Sequence, residues 1–251
     1  MKPNQTFDMK KILIAVLLLS CTTAFAQTTS VVTRMTSAEY AEYVKNLPKV
    51  KDKNIYDQEG NVVDSAKARQ MVKTFEYKMT QTIPPGQTEY KLIITKVNHA
   101  EEERRDKTWL ATFWPASPKL AEGVALDLSP LAKHTDVGNL EGKAIVLLFR
   151  NNNYAFMFNQ INDAIANNID NNKFEVFAIT GLDYASAKAA QKQMPILNAH
   201  HIIDAQDLIN FYETKGDATV VVTNLQHQII YAARSGPAMT PRTLNKLLKA
   251  L

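Results

Sequence analysis

The spacing of hydrophobic and polar residues changes near residue 130. Beyond it, strand and helix patterns alternate. Residues 144–149 (AIVLLF) are apolar at every position, which suits a strand covered on both faces. Over 154–169, Phe158, Ile161, Ile165 and Ile169 recur at steps of three and four, predicting an amphipathic helix. Residues 174–180 read as a second strand and 185–193 as a helix stopped at Pro195. A short strand at Ile202-Ile203 and a helix over 205–212 follow. Residues 219–223 and 228–232 predict two strands joined by a tight turn. Thr240-Pro241 opens a final helix over 242–251, with proline in its first turn. The order β-α-β-α-(β)-α-β-β-α predicts an α/β sandwich. Two parallel strands are joined by a crossover helix, and a C-terminal hairpin and packing helix complete it.

The upstream part, about 31–115, reads as α+β. Thr36 stands three residues before Glu39, a capping-box pattern that opens a helix to about Lys45. Ile55-Tyr56 and Val62-Val63 flank Asp57-Gln58-Glu59-Gly60-Asn61, a hairpin pattern. Asp64-Ser65 starts a helix through Lys73, Pro84-Pro85-Gly86 marks a turn, and 90–95 has strand propensity. Residues 96–112 are charged and read as helical; 101–107 mix both signs, as a solvated face does. Pro115, Pro118 and Pro130 punctuate a loop-like connection with a short-strand candidate at 125–128. These patterns divide the chain into residues 1–26, an N-terminal α+β accessory region at 27–118 and a second domain at 119–251.

Residues 1–26 read as a targeting signal. Lys10 and Lys11 precede the apolar run 12–19, and Ala24-Phe25-Ala26 offers a cleavage site. The run is roughly half the length a membrane-spanning helix needs. The expected location is periplasmic or secreted. A competing signal overlaps it: Leu18-Leu19-Ser20-Cys21 resembles a bacterial lipobox, which would place a lipid anchor on Cys21. Cleavage after Ala26 would leave 225 residues with 26 basic and 24 acidic side chains, too balanced for a nucleic-acid footprint. It would also leave no cysteine, since Cys21 is the only one in the chain.

Three stretches carry a family resemblance. Leu140-Glu141-Gly142-Lys143 leads into the apolar strand 144–149. Tyr212-Glu213-Thr214-Lys215-Gly216-Asp217-Ala218-Thr219 resembles a Y-x-x-x-G-x-P-T loop. Residues 223–230 resemble a hairpin, with Gln226 or His227 where a turn glycine is usual. In order and spacing, roughly 120–251 resembles the thioredoxin-like superfamily, in its exported redoxin branch of TlpA-like and alkyl-hydroperoxide-reductase-like proteins. The resemblance implies a thioredoxin-like sandwich, a central mixed sheet flanked by helices.

The chain departs from that family where the family does its chemistry. Counting from Phe149, Tyr154 and Met157 fall at the positions of the C-x-x-C cysteines. Thiol exchange needs an attacking thiolate and a resolving thiol, and a phenol and a thioether supply neither. Ala218 stands where the family has a cis-proline. A cis bond before a non-proline residue costs about 2.5–4 kcal/mol, so the Asp217–Ala218 bond is expected to be trans.

Other candidates are weaker. Asn151-Asn152-Asn153 suits turn chemistry, with Asn153 as a helix N-cap; a small polar or anionic ligand there is the alternative. His200-His201 would point to opposite faces of a strand and so not share a metal. Trp109, Phe113 and Trp114 read as packing between the two parts, or as an exposed partner patch. No cofactor or metal is expected.

The resulting expectation is a non-catalytic binding or scaffold module of the cell envelope. Asn153, Tyr154, Phe156, Met157 and Ala218 would form its surface for a peptide or envelope protein. The family resemblance also leaves open a redoxin-type oxidoreductase or peroxidase, and the lipobox leaves open a lipid-anchored protein with a structural role.

Overall fold

The computed structural model describes residues 52–115, 117–150, 155–193, 195–214, 218–234 and 240–251, with no side-chain account of 155–158 or 240. The targeting segment and the helix expected at 36–45 lie outside the described residues.

The first sheet follows from short-range signals. Asp57-Gln58-Glu59-Gly60-Asn61 turns the chain between β1 (Ile55–Tyr56) and β2 (Val62–Val63), and Gly60 takes a positive φ of 87° there. Asp64 then caps α1 (Ser65–Lys73): its Oδ1 accepts the N–H groups of Ala66 and Lys67, each at 2.9 Å. β3 (Tyr77–Thr82) and β4 (Lys91–Lys96) pair antiparallel across the Pro84 turn. β4 also pairs in parallel with β1, giving the order β2-β1-β4-β3. Ile55, Ala68 and Ile94 form a small core between this sheet and α1. α2 (His99–Phe113) follows, capped by the Asn98 side chain. β3 carries no sequence expectation. Its two apolar residues, Tyr77 and Met79, alternate with polar ones and are only partly covered.

The second sheet is built around β5 (Ala144–Phe149), every residue of which is buried. α3 (Ala155–Ala166) crosses to β6 (Phe174–Ile179), which pairs in parallel with β5. α4 (Tyr184–Gln193) leads to β7 (His200–Ile202), parallel to β6. α5 (Gln206–Phe211) precedes β8 (Thr219–Thr223), β9 (Ile229–Arg234) and α6 (Thr240–Ala250). β8 runs antiparallel to β5 and β9 antiparallel to β8, giving the order β7-β6-β5-β8-β9. This mixed sheet with a parallel crossover and a terminal antiparallel hairpin is a thioredoxin-like fold.

Side-chain alternation along β5 sorts the core into two halves. Ala144, Val146 and Leu148 pack with Ile161 and Ile165 of α3 and Leu244 and Leu248 of α6. Ile145, Leu147 and Phe149 pack with Leu208 and Ile209 of α5 and with Leu120, Leu126 and Leu131 of the connection. The connection folds as two 3₁₀ turns, Pro118–Leu120 and Leu131–Lys133. Its expected strand at 125–128 is a single bridge, Ala125 to Gln228. The stripe expected on α3 also shortens. The helix ends at Ala166, and Ile169 lies in a 3₁₀ turn, 39% exposed, because Asn167 and Asn168 interrupt the helix before it.

His227 takes the turn position where glycine is usual, with φ of 60°. Its ring compensates: Nε2 is 3.0 Å from the Leu140 carbonyl and 3.1 Å from that of Lys143. The β8–β9 turn is thereby tied to the start of β5. On the other side, the Tyr212 hydroxyl donates to the Asp127 carbonyl at 2.5 Å, fastening the connection over α5.

One ion cluster joins α2 to α6. Glu102 is buried on α2 and meets Lys78 of β3 at 2.8 Å, Arg242 at 2.8 Å and Arg105 at 3.4 Å. Arg242 also reaches Asp106 at 3.2 Å, and the Thr243 hydroxyl donates to Asp106 at 3.0 Å. Burial works to raise the Glu102 carboxyl, but the three cations outweigh it and hold it below its ordinary 4.5.

Two predictions follow from these ties. Glu102→Gln should lower unfolding free energy by about 1–2 kcal/mol at pH 7, since it takes the buried negative charge from Lys78, Arg105 and Arg242, all of which keep some contact with water. A carboxyl depressed in the folded state stabilises above its unfolded value, so the difference from wild type should shrink as pH falls below 4.5. Urea titrations of both proteins at pH 7 and pH 3 measure this; an unchanged gap would contradict it. Tyr212→Phe should cost about 1 kcal/mol, leaving the Asp127 carbonyl without its donor, with no change in far-UV circular dichroism.

Candidate functional site

In open α/β sheets, ligands gather beyond the carboxyl ends of the parallel strands. Here that end is set by three junctions: β5 into α3, β6 into α4, and the residues just before β8. Register fixes their meeting. Phe149 pairs with Ile179 on one side and Thr219 on the other, so Arg150, Thr180 and Ala218 come to the same end of the sheet.

Ala218 is 2% exposed and packs with Leu148 and Val220. Within the expected binding surface its methyl is therefore backing and not a contact group. Phe156 and Met157 lie in the first turn of α3, which starts at Ala155. Asn153, Tyr154 and the Asp217–Ala218 bond fall outside the described residues.

The structure adds residues that the sequence did not single out. Arg150 continues β5 with its N–H on the Ile179 carbonyl at 2.7 Å. Its buried guanidinium reaches across to α4 and donates to the Ala190 carbonyl at 2.8 Å. Burial pushes this guanidinium below its ordinary value. It borders a cavity of about 20 Å³ with Ala178, Ala187 and Ile196, room for roughly one water. Leu182, in the turn after β6, also borders this cavity, and Tyr184 opens α4; both side chains are exposed. Leu182 is 38% exposed and Tyr184 65%. No sequence signal marks them, because an apolar residue in a turn has no periodicity to violate.

The remaining candidates separate. His200 stacks on Phe177 at 5.1 Å and bonds Glu175 at 3.0 Å, whereas His201 goes to the Ile196 carbonyl at 3.0 Å. The two rings thus have different partners. The aromatic group at 109–114 also divides. Trp114 packs against the core, its Nε1 donating to the Leu120 carbonyl at 2.9 Å. Trp109 is 41% exposed and stacks on Phe113 at 5.0 Å. Among the described residues, no group of three or more His, Cys, Asp or Glu side chains is placed to hold a metal, and no helix is long and apolar enough to cross a membrane.

No family model and no curated protein matches the chain. Solved structures with similar backbone include a cysteine-to-serine mutant of PrxQ from Xylella fastidiosa. It is 15% identical with a TM-score of 0.43, over 52% of this chain and 96% of that one. A secreted Mycobacterium tuberculosis disulfide oxidoreductase homologous to E. coli DsbE is 19% identical, with a TM-score of 0.39, over 47% of this chain and 88% of that one. The thioredoxin domain of a thiol-disulfide oxidoreductase from Bacteroides vulgatus is 12% identical, with a TM-score of 0.36, over 45% and 85%. These are likenesses of fold. The strand order and register given above are what assign it.

If Leu182 and Tyr184 serve a surface and not the core, replacing both with serine should change stability by less than about 0.5 kcal/mol. Phe149→Ala, from the fully buried strand beneath, should cost about 3–5 kcal/mol. Urea denaturation of the two variants measures the contrast.

Proposed function

We propose that this chain is an exported binding module that uses a thioredoxin-like fold without thiol redox chemistry. The observation that carries this is the absence of any cysteine after Cys21. Disulfide exchange proceeds through a thiolate that attacks sulfur, and no residue at 149–157 offers one. The carboxyl end of the parallel strands is furnished for contact instead. Tyr154 and Met157 stand in the chain at the family's cysteine positions with Phe156 between them, Leu182 is exposed beside Arg150, and Tyr184 is exposed at the start of α4. Aromatic and thioether groups suit burial against a peptide or envelope protein.

Export rests on the basic, apolar and Ala-x-Ala pattern of residues 1–26. A second reading, a lipid-anchored protein, is favoured by Leu18-Leu19-Ser20-Cys21. Metabolic labelling with palmitate and sequencing of the mature N-terminus separate them. Soluble export leaves an unlabelled chain beginning at Gln27; the anchored form carries label on Cys21.

Two assays test the module. The mature chain should reduce insulin and consume peroxide no faster than buffer with dithiothreitol alone. A benzophenone amino acid in place of Tyr154 should form a crosslinked adduct in intact cells, and the same group in place of Gln226, on the hairpin turn, should not. Turnover in the first assay, or adducts equally frequent or absent at both positions, would reject the proposal.

A further inference from the structure

A second feature lies away from the carboxyl end of the five-stranded sheet. β3 is an outer strand of the four-stranded sheet and, among the described residues, pairs only with β4. The N–H of Val97 donates to the Glu76 carbonyl at 2.8 Å, which sets the phase of the ladder. By alternation, Lys78, Thr80 and Thr82 exchange hydrogen bonds with β4. The N–H and C=O groups of Tyr77 and Met79 therefore turn the other way.

They turn toward a cleft of about 390 Å³. Tyr77, Lys78, Met79 and Thr80 line one wall of it. Four consecutive residues of one strand present both faces and the edge between them, so the cleft runs along the edge itself. Gln160 and Asp163 of α3 and Arg242 of α6 form the opposite wall, and Val72, Phe75 and Val97 supply apolar surface. Phe75 holds a positive φ of 62°, a strained conformation for a bulky residue, which places its ring in the lining.

Open edges are normally guarded by charge, proline or a bulge. β3 has no proline, its pairing with β4 runs in unbroken register, and its only charged residue is Lys78. That lysine is neutralised by Glu102 at 2.8 Å, and the pair lines the cleft together with Arg105. The edge is left with a hydrogen-bonding row, an apolar floor and polar groups of both signs opposite. An extended polypeptide matches all three at once. Its own N–H and C=O groups alternate to meet the row, and its side chains alternate between the apolar and polar sides.

We propose that the cleft beside β3 binds an extended peptide segment of a partner protein as an added strand, with apolar residues at alternate positions. The site is separate from the carboxyl end of the five-stranded sheet and holds whether or not that end binds a partner.

The test uses the full-length chain and a fluorescein-labelled peptide of sequence Lys-Leu-Ile-Ile-Thr-Lys, which is the β4 sequence that β3 already pairs with on its other side. Fluorescence anisotropy should rise and saturate. Met79→Pro removes an outward N–H without touching the β4 ladder, and should weaken binding at least about tenfold, the worth of one or two hydrogen bonds. A peptide N-methylated at alternate residues should weaken equally on the wild-type chain, which keeps the test valid if the proline variant misfolds. No saturable rise would overturn the proposal. So would equal binding of the N-methylated peptide, which would mark an apolar cleft for small ligands. Sedimentation showing a dimer that Met79→Pro dissolves would also overturn it, assigning the edge to a second copy.

Discussion

Six successive side chains without a polar group cannot be left half in water. That constraint, imposed by Ala144–Phe149, organises the five-stranded sheet and the layers on its two faces. A strand apolar on both faces must be central, and it must carry a layer on each side. α3 and α6 supply one layer; α5 and the looped connection supply the other. Once β5 is central, the crossover through α3 can only return beside it in parallel. The functional end of the sheet is then a by-product of packing. Phe149 lies between Ile179 and Thr219, so whatever follows β5 and β6 and whatever precedes β8 must meet.

The two sheets have different bonding logic. The five-stranded sheet is held by buried apolar surface on both sides. Among the described residues, the core of the four-stranded sheet has three buried members, Ile55, Ala68 and Ile94. A core that small stabilises little by itself. Glu102 supplies what the apolar contacts cannot: a buried carboxylate shared by Lys78 of β3 and Arg242 of α6. It belongs to the same compact unit as both partners, Val50–Leu251. Its location has a second effect, since it neutralises the one lysine of β3 beside the open edge.

Legibility in the sequence tracked how much of each element's signal was local. The capped helix at Ser65–Lys73, the buried strand Ala144–Phe149 and the hairpin strands were readable from caps, runs and turns. β3 was not, because half its side chains face water and only two are apolar. Ile169 was misassigned to the α3 stripe because three-four spacing continues past the asparagines that end the helix. At the site, Ala218 was locatable by its place before a strand, but its burial depended on Leu148, seventy residues earlier. Arg150, Leu182 and Tyr184 were invisible for the same reason: their importance comes from neighbours that only the sheet brings near. The Glu102 cluster likewise joins residues up to 140 positions apart, and no spacing rule reaches that far.

The histidine in the β8–β9 turn has one further consequence. The carbonyls of Leu140 and Lys143 both meet its Nε2, and the Leu140 carbonyl also accepts the Lys143 N–H at 3.1 Å. One ring therefore ties the turn to both ends of the short segment that leads into β5. A glycine would have met the backbone's demand at this corner; histidine meets it and latches the approach to β5 in place as well.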